Sequence, residues 1–175
     1  HLHDTYYVIG HFHYVVAPGT IFALFAGIYY WFPKITGRKM SEALGKLHFW
    51  PSLIFMNGVF MPMFIQGLAG VSRRLYDGGQ LYAHAQDVLQ WNEFMSISAF
   101  CLAAAQIPFI INIFVSMFNG EKVDRNPWGS TTVEWSAPSP PVPHANFEGD
   151  VEVYRGPYEY SVPGADKDFS PQTEK

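Results

Sequence analysis

The sequence predicts an all-α membrane protein, in which three transmembrane helices are followed by an extended polar tail. Two observations lead to this prediction. Three stretches of the 175-residue chain, each longer than 25 residues, contain no Lys, Arg, Asp or Glu: residues 5–33, 47–72 and 94–120. Beyond residue 120 the composition changes, because this last part holds 15 of the 26 charged side chains and eight of the 13 prolines.

Each uncharged stretch is long enough to cross a bilayer, whose core about 30 Å thick needs about 20 helical residues. A buried helix of a soluble protein would keep a polar stripe, which these stretches lack. Backbone hydrogen bonds must close within each span, so we expect their prolines to kink the helices rather than end them. Residues 1–120 are therefore predicted to form the three-helix segment, with spans at about 5–33, 47–72 and 94–120.

The loop charges predict the orientation. The first loop contains four cations, and two more follow the third span, whereas the two arginines of the second loop are diluted by three acidic residues. By the positive-inside rule, the first loop and the tail face inward, and the N-terminus faces outward. The tail, residues 121–175, is expected to be largely irregular, with its last ten residues disordered, because turn signals interrupt it throughout.

Two histidines, His11 and His13, lie within the first span. Ionisable side chains at membrane depth are rare and are functional candidates. On a helix, residues i and i+2 point about 200° apart, so the two rings cannot share one metal. Either each ring forms a hydrogen bond to a neighbouring helix, or each serves a separate partner, for which two haem irons would be suitable.

Two polar pairs flank the same end of the bundle. His3 and Asp4 provide a nitrogen and an oxygen suited to a divalent ion, although two adjacent ligands are too few alone, and an exposed capping pair is the alternative. Arg73 and Arg74 follow the second span directly. They either contact lipid headgroups or bind buried carboxylates through their guanidinium groups.

Five segments, in order, resemble subunit I of the haem–copper oxidases over about residues 1–145. The most specific is HDTYYVIGHFHYV at 3–15, which is similar to the tenth-helix signature of that family. The others are WFP at 31–33, KLHF at 46–49, GLAGVSRR at 67–74, and NPWG…EW at 126–135. The resemblance implies that the chain corresponds to the last three helices of a twelve-helix subunit.

The resemblance also implies cofactors. His11 would be the proximal ligand of a high-spin haem and the residue at the oxygen-reducing centre, and His13 an axial ligand of a low-spin haem, both of the haem A type. Phe12 would lie in the gap that electrons cross. Arg73 and Arg74 would hold the haem propionates. His3 and Asp4 would bind magnesium at the interface with subunit II, and copper would be bound by residues outside this chain.

The activity implied is that of a proton-pumping cytochrome c oxidase, which the chain would not have alone. Its partners would be the rest of subunit I, subunits II and III, cytochrome c and the lipid bilayer, with no nucleic acid. Asp4 favours cytochrome c over quinol as donor, and the Trp-Gly…Glu-Trp tail favours a bacterial inner membrane over a mitochondrial one. A quinol oxidase subunit I and a non-haem transporter fragment are the alternatives.

Overall fold

A computed structural model describes residues 1–144, 146–147, 149–159, 163–164 and 169–175. The described chain is mostly helical. Three of its helices are long and apolar enough to cross a membrane: Tyr6–Thr36, Glu42–Leu68 and Ala83–Asn119. The predicted fold class is therefore confirmed.

The first span is one helix with a wider turn inside it. Helix α1 (Tyr6–Val16) continues through a π-helical turn (Ala17–Phe22) into helix α2 (Ala23–Thr36). Pro18 opens the π-helical turn, where its missing N–H and its ring are incompatible with a regular α-helical hydrogen bond. The span continues beyond residue 33 because the amide of Gly37 still donates to the carbonyl of Pro33 at 2.8 Å.

The second span is the 27-residue helix α3 (Glu42–Leu68), which contains Pro51 and Pro62. It begins at Glu42, before residue 47. Its first turns carry an exposed ion pair in which Nζ of Lys46 lies 3.1 Å from Oε1 of Glu42. It ends before residue 72 because Gly70 takes a φ of +83°. The amide of Val71 then bonds back to the carbonyl of Gln66 at 3.0 Å, which closes the helix end.

The third span begins with a 3₁₀ turn (Ala83–Val88) and contains helices α4 (Trp91–Ala104) and α5 (Ile107–Asn119). The break between α4 and α5 is held by Gln106, whose side chain bonds Ser52 and His48, each at 3.0 Å. His48 is only 3% exposed. His48 is thus a buried histidine held by a hydrogen bond within the bundle.

The chain divides into two compact units, residues 1–27 with 42–113 and residues 28–41 with 114–175. In the first unit α3 is central, because both α1 and α4 pack against it. In the second unit, strand β1 (Arg38–Lys39) pairs antiparallel with strand β2 (Glu121–Lys122). We call this strand pair the ribbon.

The tail folds onto Lys34 in the second unit. Lys34 is 7% exposed, and its ammonium donates to the carbonyl oxygens of Ala137 at 2.7 Å and Arg125 at 3.3 Å. It also lies 4.9 Å from the ring centroid of Trp135, itself 1% exposed. These contacts satisfy the donors of a cation that would otherwise be costly to bury.

The expected disorder of the last ten residues is wrong at Gln172. Its backbone amide donates to Thr131 at 2.9 Å, and its side chain accepts from the amide of Val133 at 3.1 Å. The side chain also donates to the carbonyl of Arg155 at 3.0 Å. Turn signals describe local backbone and could not reveal this non-local pairing; residues 166–168 lie outside the described residues.

Candidate cofactor site

The start of α1 is fixed by Thr5. Its hydroxyl accepts from the amide of Tyr7 at 3.3 Å and donates to the carbonyl of Leu2 at 2.7 Å. This N-cap satisfies one of the free amides of the first turn. His3 and Asp4 therefore lie just outside the helix, while His11 and His13 lie on it.

A short backbone pairing joins this start to the segment after α3. The amide of Tyr6 donates to Val71 at 3.0 Å, and the amide of Arg73 donates to Asp4 at 2.9 Å. Thr5 and Ser72 form the bridge between them. The two predicted polar pairs are consequently held side by side.

Asp4 and Arg73 form an ion pair. The guanidinium Nε lies 2.8 Å and Nη2 2.5 Å from Oδ1 of Asp4. The hydrogen bond from Arg73 holds the pKa of the Asp4 carboxyl below its ordinary value, and the positive charges of Arg73 and Arg74 act in the same direction. Arg73 is 24% exposed in its side chain, whereas Arg74 is exposed and has a φ of +64°.

The second carboxylate oxygen of Asp4 faces His3. Its Oδ2 lies 3.2 Å from Nε2 of His3, and adjacent ligands of an octahedral ion at about 2.1 Å are separated by about 3.0 Å. The described residues contain no group of three or more His, Cys, Asp or Glu able to hold a metal. His3 and Asp4 can therefore supply two ligands, and the remainder must come from water or from outside the described chain.

His13 is held against α3. Its Nδ1 donates to the carbonyl of Ile9 at 2.8 Å, and its ring stacks on Phe60 with centroids 4.3 Å apart and planes 15° apart. The ring centroid of Phe12 lies 4.2 Å from that of His13. Because Nδ1 is engaged by the carbonyl of Ile9, Nε2 is the ring nitrogen left to bind a metal.

His11 is exposed on the same helix. The two rings thus have different surroundings: His13 stacks on Phe60 of α3, whereas His11 is exposed. Phe12, between them in sequence, is 43% exposed. The residues present suit two separately bound haems, because each imidazole has its own environment.

Sequence reasoning missed the residues that support this arrangement. A Cβ on Gly10 would lie 3.2 Å from the carbonyl oxygen of Phe60, and one on Gly67 would overlap the backbone of Tyr7. Tyr14 also donates to Asn57 at 2.6 Å. The small residues were the available signal, since glycines within spans permit close helix approach.

Comparison with known proteins identifies the family of this chain. Residues 1–104 match the family model described as cytochrome c and quinol oxidase polypeptide I. The chain is 49% identical over 164 residues to the cytochrome c oxidase subunit 1 of Synechocystis, covering 93% of this chain and 28% of that protein.

Two further relatives show the same pattern. The cytochrome c oxidase subunit 1 of Thermostichus vulcanus is 46% identical, covering 93% of this chain and 28% of the relative. The alternative cytochrome c oxidase subunit 1 of Bradyrhizobium diazoefficiens is 40% identical, covering 99% and 29%. The chain spans little more than a quarter of the length of these curated relatives. It is an integral membrane protein that belongs to the cytochrome c and quinol oxidase polypeptide I family, a family of haem–copper oxidase subunits.

Proposed function

We propose that this chain is part of the catalytic subunit of a cytochrome c oxidase and supplies one axial histidine to each of two haems. The observation that carries the proposal is the pair of histidines on α1: His11 is exposed, whereas His13 packs on α3. When bound, the haem irons would supply electron transfer and oxygen binding, with copper held by residues outside this chain. We propose haem A for both, one high-spin and one low-spin.

His13 would offer Nε2 to the low-spin haem. The bond from Nδ1 to Ile9 fixes the tautomer and the ring rotation, and stacking on Phe60 limits tilting. His11 would offer its imidazole to the high-spin haem from the other side of the helix. Phe12 would fill the space between them with an apolar ring that excludes water.

Arg73 and Arg74 would bind the haem propionates. Arg73 is oriented by Asp4 through Nε and Nη2, and the guanidinium has five N–H donors, so further donors are available for a carboxylate. Arg74 is exposed beside it. Two adjacent cations would stabilise ionised propionates and keep them at this end of α1.

His3 and Asp4 would bind magnesium at the interface with subunit II. We expect Asp4→Asn and His3→Ala each to lower the affinity for the ion. The loss should exceed the roughly tenfold typical of removing a residue that hydrogen-bonds a metal ligand. Both haems should remain, because neither iron loses a ligand. Manganese substituted for magnesium in the assembled complex, read by electron paramagnetic resonance, measures the change.

Asp77→Asn is the matched control for that measurement. The Asp77 carboxylate accepts from the amides of Gly79 and Leu81 at 3.1 and 2.9 Å, which lower its pKa. It shares the loop after α3 but is not a proposed ligand, so bound manganese should not change. If the amount of bound manganese were unchanged in both the His3→Ala and the Asp4→Asn complexes, the proposed metal site would be wrong.

Cytochrome c is the proposed electron donor. The presence of Asp4 after His3 supports it, and the relatives above are named cytochrome c oxidases; the quinol alternative is not favoured. The whole subunit, with subunits II and III, would reduce oxygen to water and pump protons.

The complex isolated through a tag on this chain should consume oxygen with reduced cytochrome c, whereas the isolated 175-residue chain should not. Activity with quinol alone would contradict the proposed donor.

The proposed location is a bacterial inner membrane, with the tail inside. Cys101 is the single cysteine of the chain, so it is first replaced by alanine. In this Cys101→Ala background, we expect Tyr76→Cys to react with a membrane-impermeant maleimide in spheroplasts. Tyr158→Cys should react only after permeabilisation. Both tyrosines are highly exposed, at 107% and 89%, so labelling reports the side of the membrane rather than burial. Reversal of the two patterns would invert the proposed orientation.

A further inference from the structure

The ribbon lies directly beyond the ends of two spans. Helix α2 ends at Thr36 and β1 begins at Arg38; helix α5 ends at Asn119 and β2 begins at Glu121. Both helices belong to segments long and apolar enough to cross a membrane. The ribbon is therefore at the level of the lipid headgroups.

The register of the ribbon brings two cations together. Arg38 pairs with Lys122, while Lys39 pairs with Glu121. Side chains directly opposite each other in an antiparallel pair have Cβ atoms about 4.5–5.5 Å apart, and like charges there are destabilising. Among the described residues, no ion pair involves Arg38 or Lys122.

The side chains of this pair keep donors available. Arg38 donates through Nη1 to the carbonyl of Gly120 at 2.7 Å, which orients the guanidinium and leaves Nε and Nη2. Lys122 is exposed. Lys39 differs, because its ammonium lies 5.1 Å from the ring centroid of Trp128.

Apolar side chains flank the pair along the last helical turns. Ile35 and Phe118 are each 68% exposed, and Trp31 is 47% exposed. Ile35 precedes Arg38 by three residues and Phe118 precedes Lys122 by four. Apolar groups just below a pair of cations match the order of acyl chains and phosphate in a phospholipid.

We propose that Arg38 and Lys122 bind the phosphate of an anionic phospholipid at this membrane surface. The lipid phosphate removes the repulsion between the opposed cations, and the guanidinium can bind it through two N–H groups. Ile35 and Phe118 contact the acyl chains. The site depends on the ribbon and on neither haem ligand.

The test uses the assembled membrane complex in detergent with spin-labelled phosphatidylglycerol, and spin-labelled phosphatidylcholine as reference. The immobilised fraction in the electron paramagnetic resonance spectrum gives the relative association constant. We expect a preference for phosphatidylglycerol that falls about fivefold in Lys122→Gln and at least as much in Lys122→Glu, since each cation near an anionic surface contributes about that factor. Lys122→Glu places a carboxylate opposite Arg38, so the ribbon keeps an attractive cross-strand pair while losing the anion site.

Lys46→Gln is the matched control, because Lys46 is an exposed cation near the start of α3 that already pairs with Glu42; it should leave the preference unchanged. Equal association of both lipids with the unsubstituted complex would overturn the proposal. So would an unchanged preference in Lys122→Glu with normal recovery of the complex. If millimolar inorganic phosphate displaced the lipid, the proposal that the bound phosphate belongs to a phospholipid would be overturned, and the site would be assigned to free phosphate.

Discussion

Replacing Gly67 with alanine should prevent α1 from seating on α3 and should remove both haems from the complex. A Cβ at position 67 would overlap the backbone nitrogen and Cβ of Tyr7. Because those atoms belong to the helix itself, no side-chain rotation can relieve the overlap. Overpacking typically costs about 1–3 kcal/mol and sometimes more, and Tyr7 lies one turn before His11. Haem content per mole of tagged chain measures the loss.

Gly19→Ala is the matched control for that substitution. Gly19 is also within a membrane-spanning helix, but a Cβ there would meet nothing within 4 Å. Alanine has the higher helix propensity by about 1 kcal/mol, so the control should assemble with normal haem content. If Gly67→Ala retained full haem content, the close packing of α1 on α3 would not be what positions the histidines.

Replacing either histidine of α1 should affect one haem more than the other. We expect His13→Ala to abolish the low-spin haem spectrum, because its Nε2 is the proposed ligand. His11→Ala should chiefly damage the haem that binds carbon monoxide. Visible difference spectra, recorded on membranes with matched amounts of the chain, distinguish the two losses.

His48→Ala separates ligation from packing. His48 is a buried histidine that bonds Gln106 at 3.0 Å, and its loss should lower stability while leaving both haem bands in normal proportion. Supplying imidazole to His13→Gly should restore part of the low-spin signal, which a purely structural role for the ring would not do. An unchanged low-spin band in His13→Ala would show that the ligand is another residue.

The runs without charge predicted the three spans, because a bilayer leaves little freedom in length and composition. They did not predict the helix ends. Lys34 is buried in the first helix by carbonyls more than 90 positions away in sequence, and Glu42 and Lys46 lie on the second. A span defined by the absence of charged residues ends at such residues. The helix itself can continue through them when tertiary contacts or water solvate the charged group.

The candidate site was predictable in its residue types but not in its contacts. His11 and His13 are two positions apart in the sequence, and helix geometry alone predicts that such residues point in different directions. The ion pair of Asp4 with Arg73 spans 69 positions, and it links two residues that the sequence assigned to different ligands. The stack of His13 on Phe60 likewise depends on how α1 meets α3, which no local pattern contains.

Spectroscopy of the complex tests most directly whether this chain carries ligands to two haems. The complex is isolated through a tag on this chain and recorded reduced minus oxidised, with and without carbon monoxide. We predict bands from two haems, of which only one shifts with carbon monoxide. A complex without haem bands, or with both haems shifting alike, would contradict the assignment of His11 and His13 to separate irons.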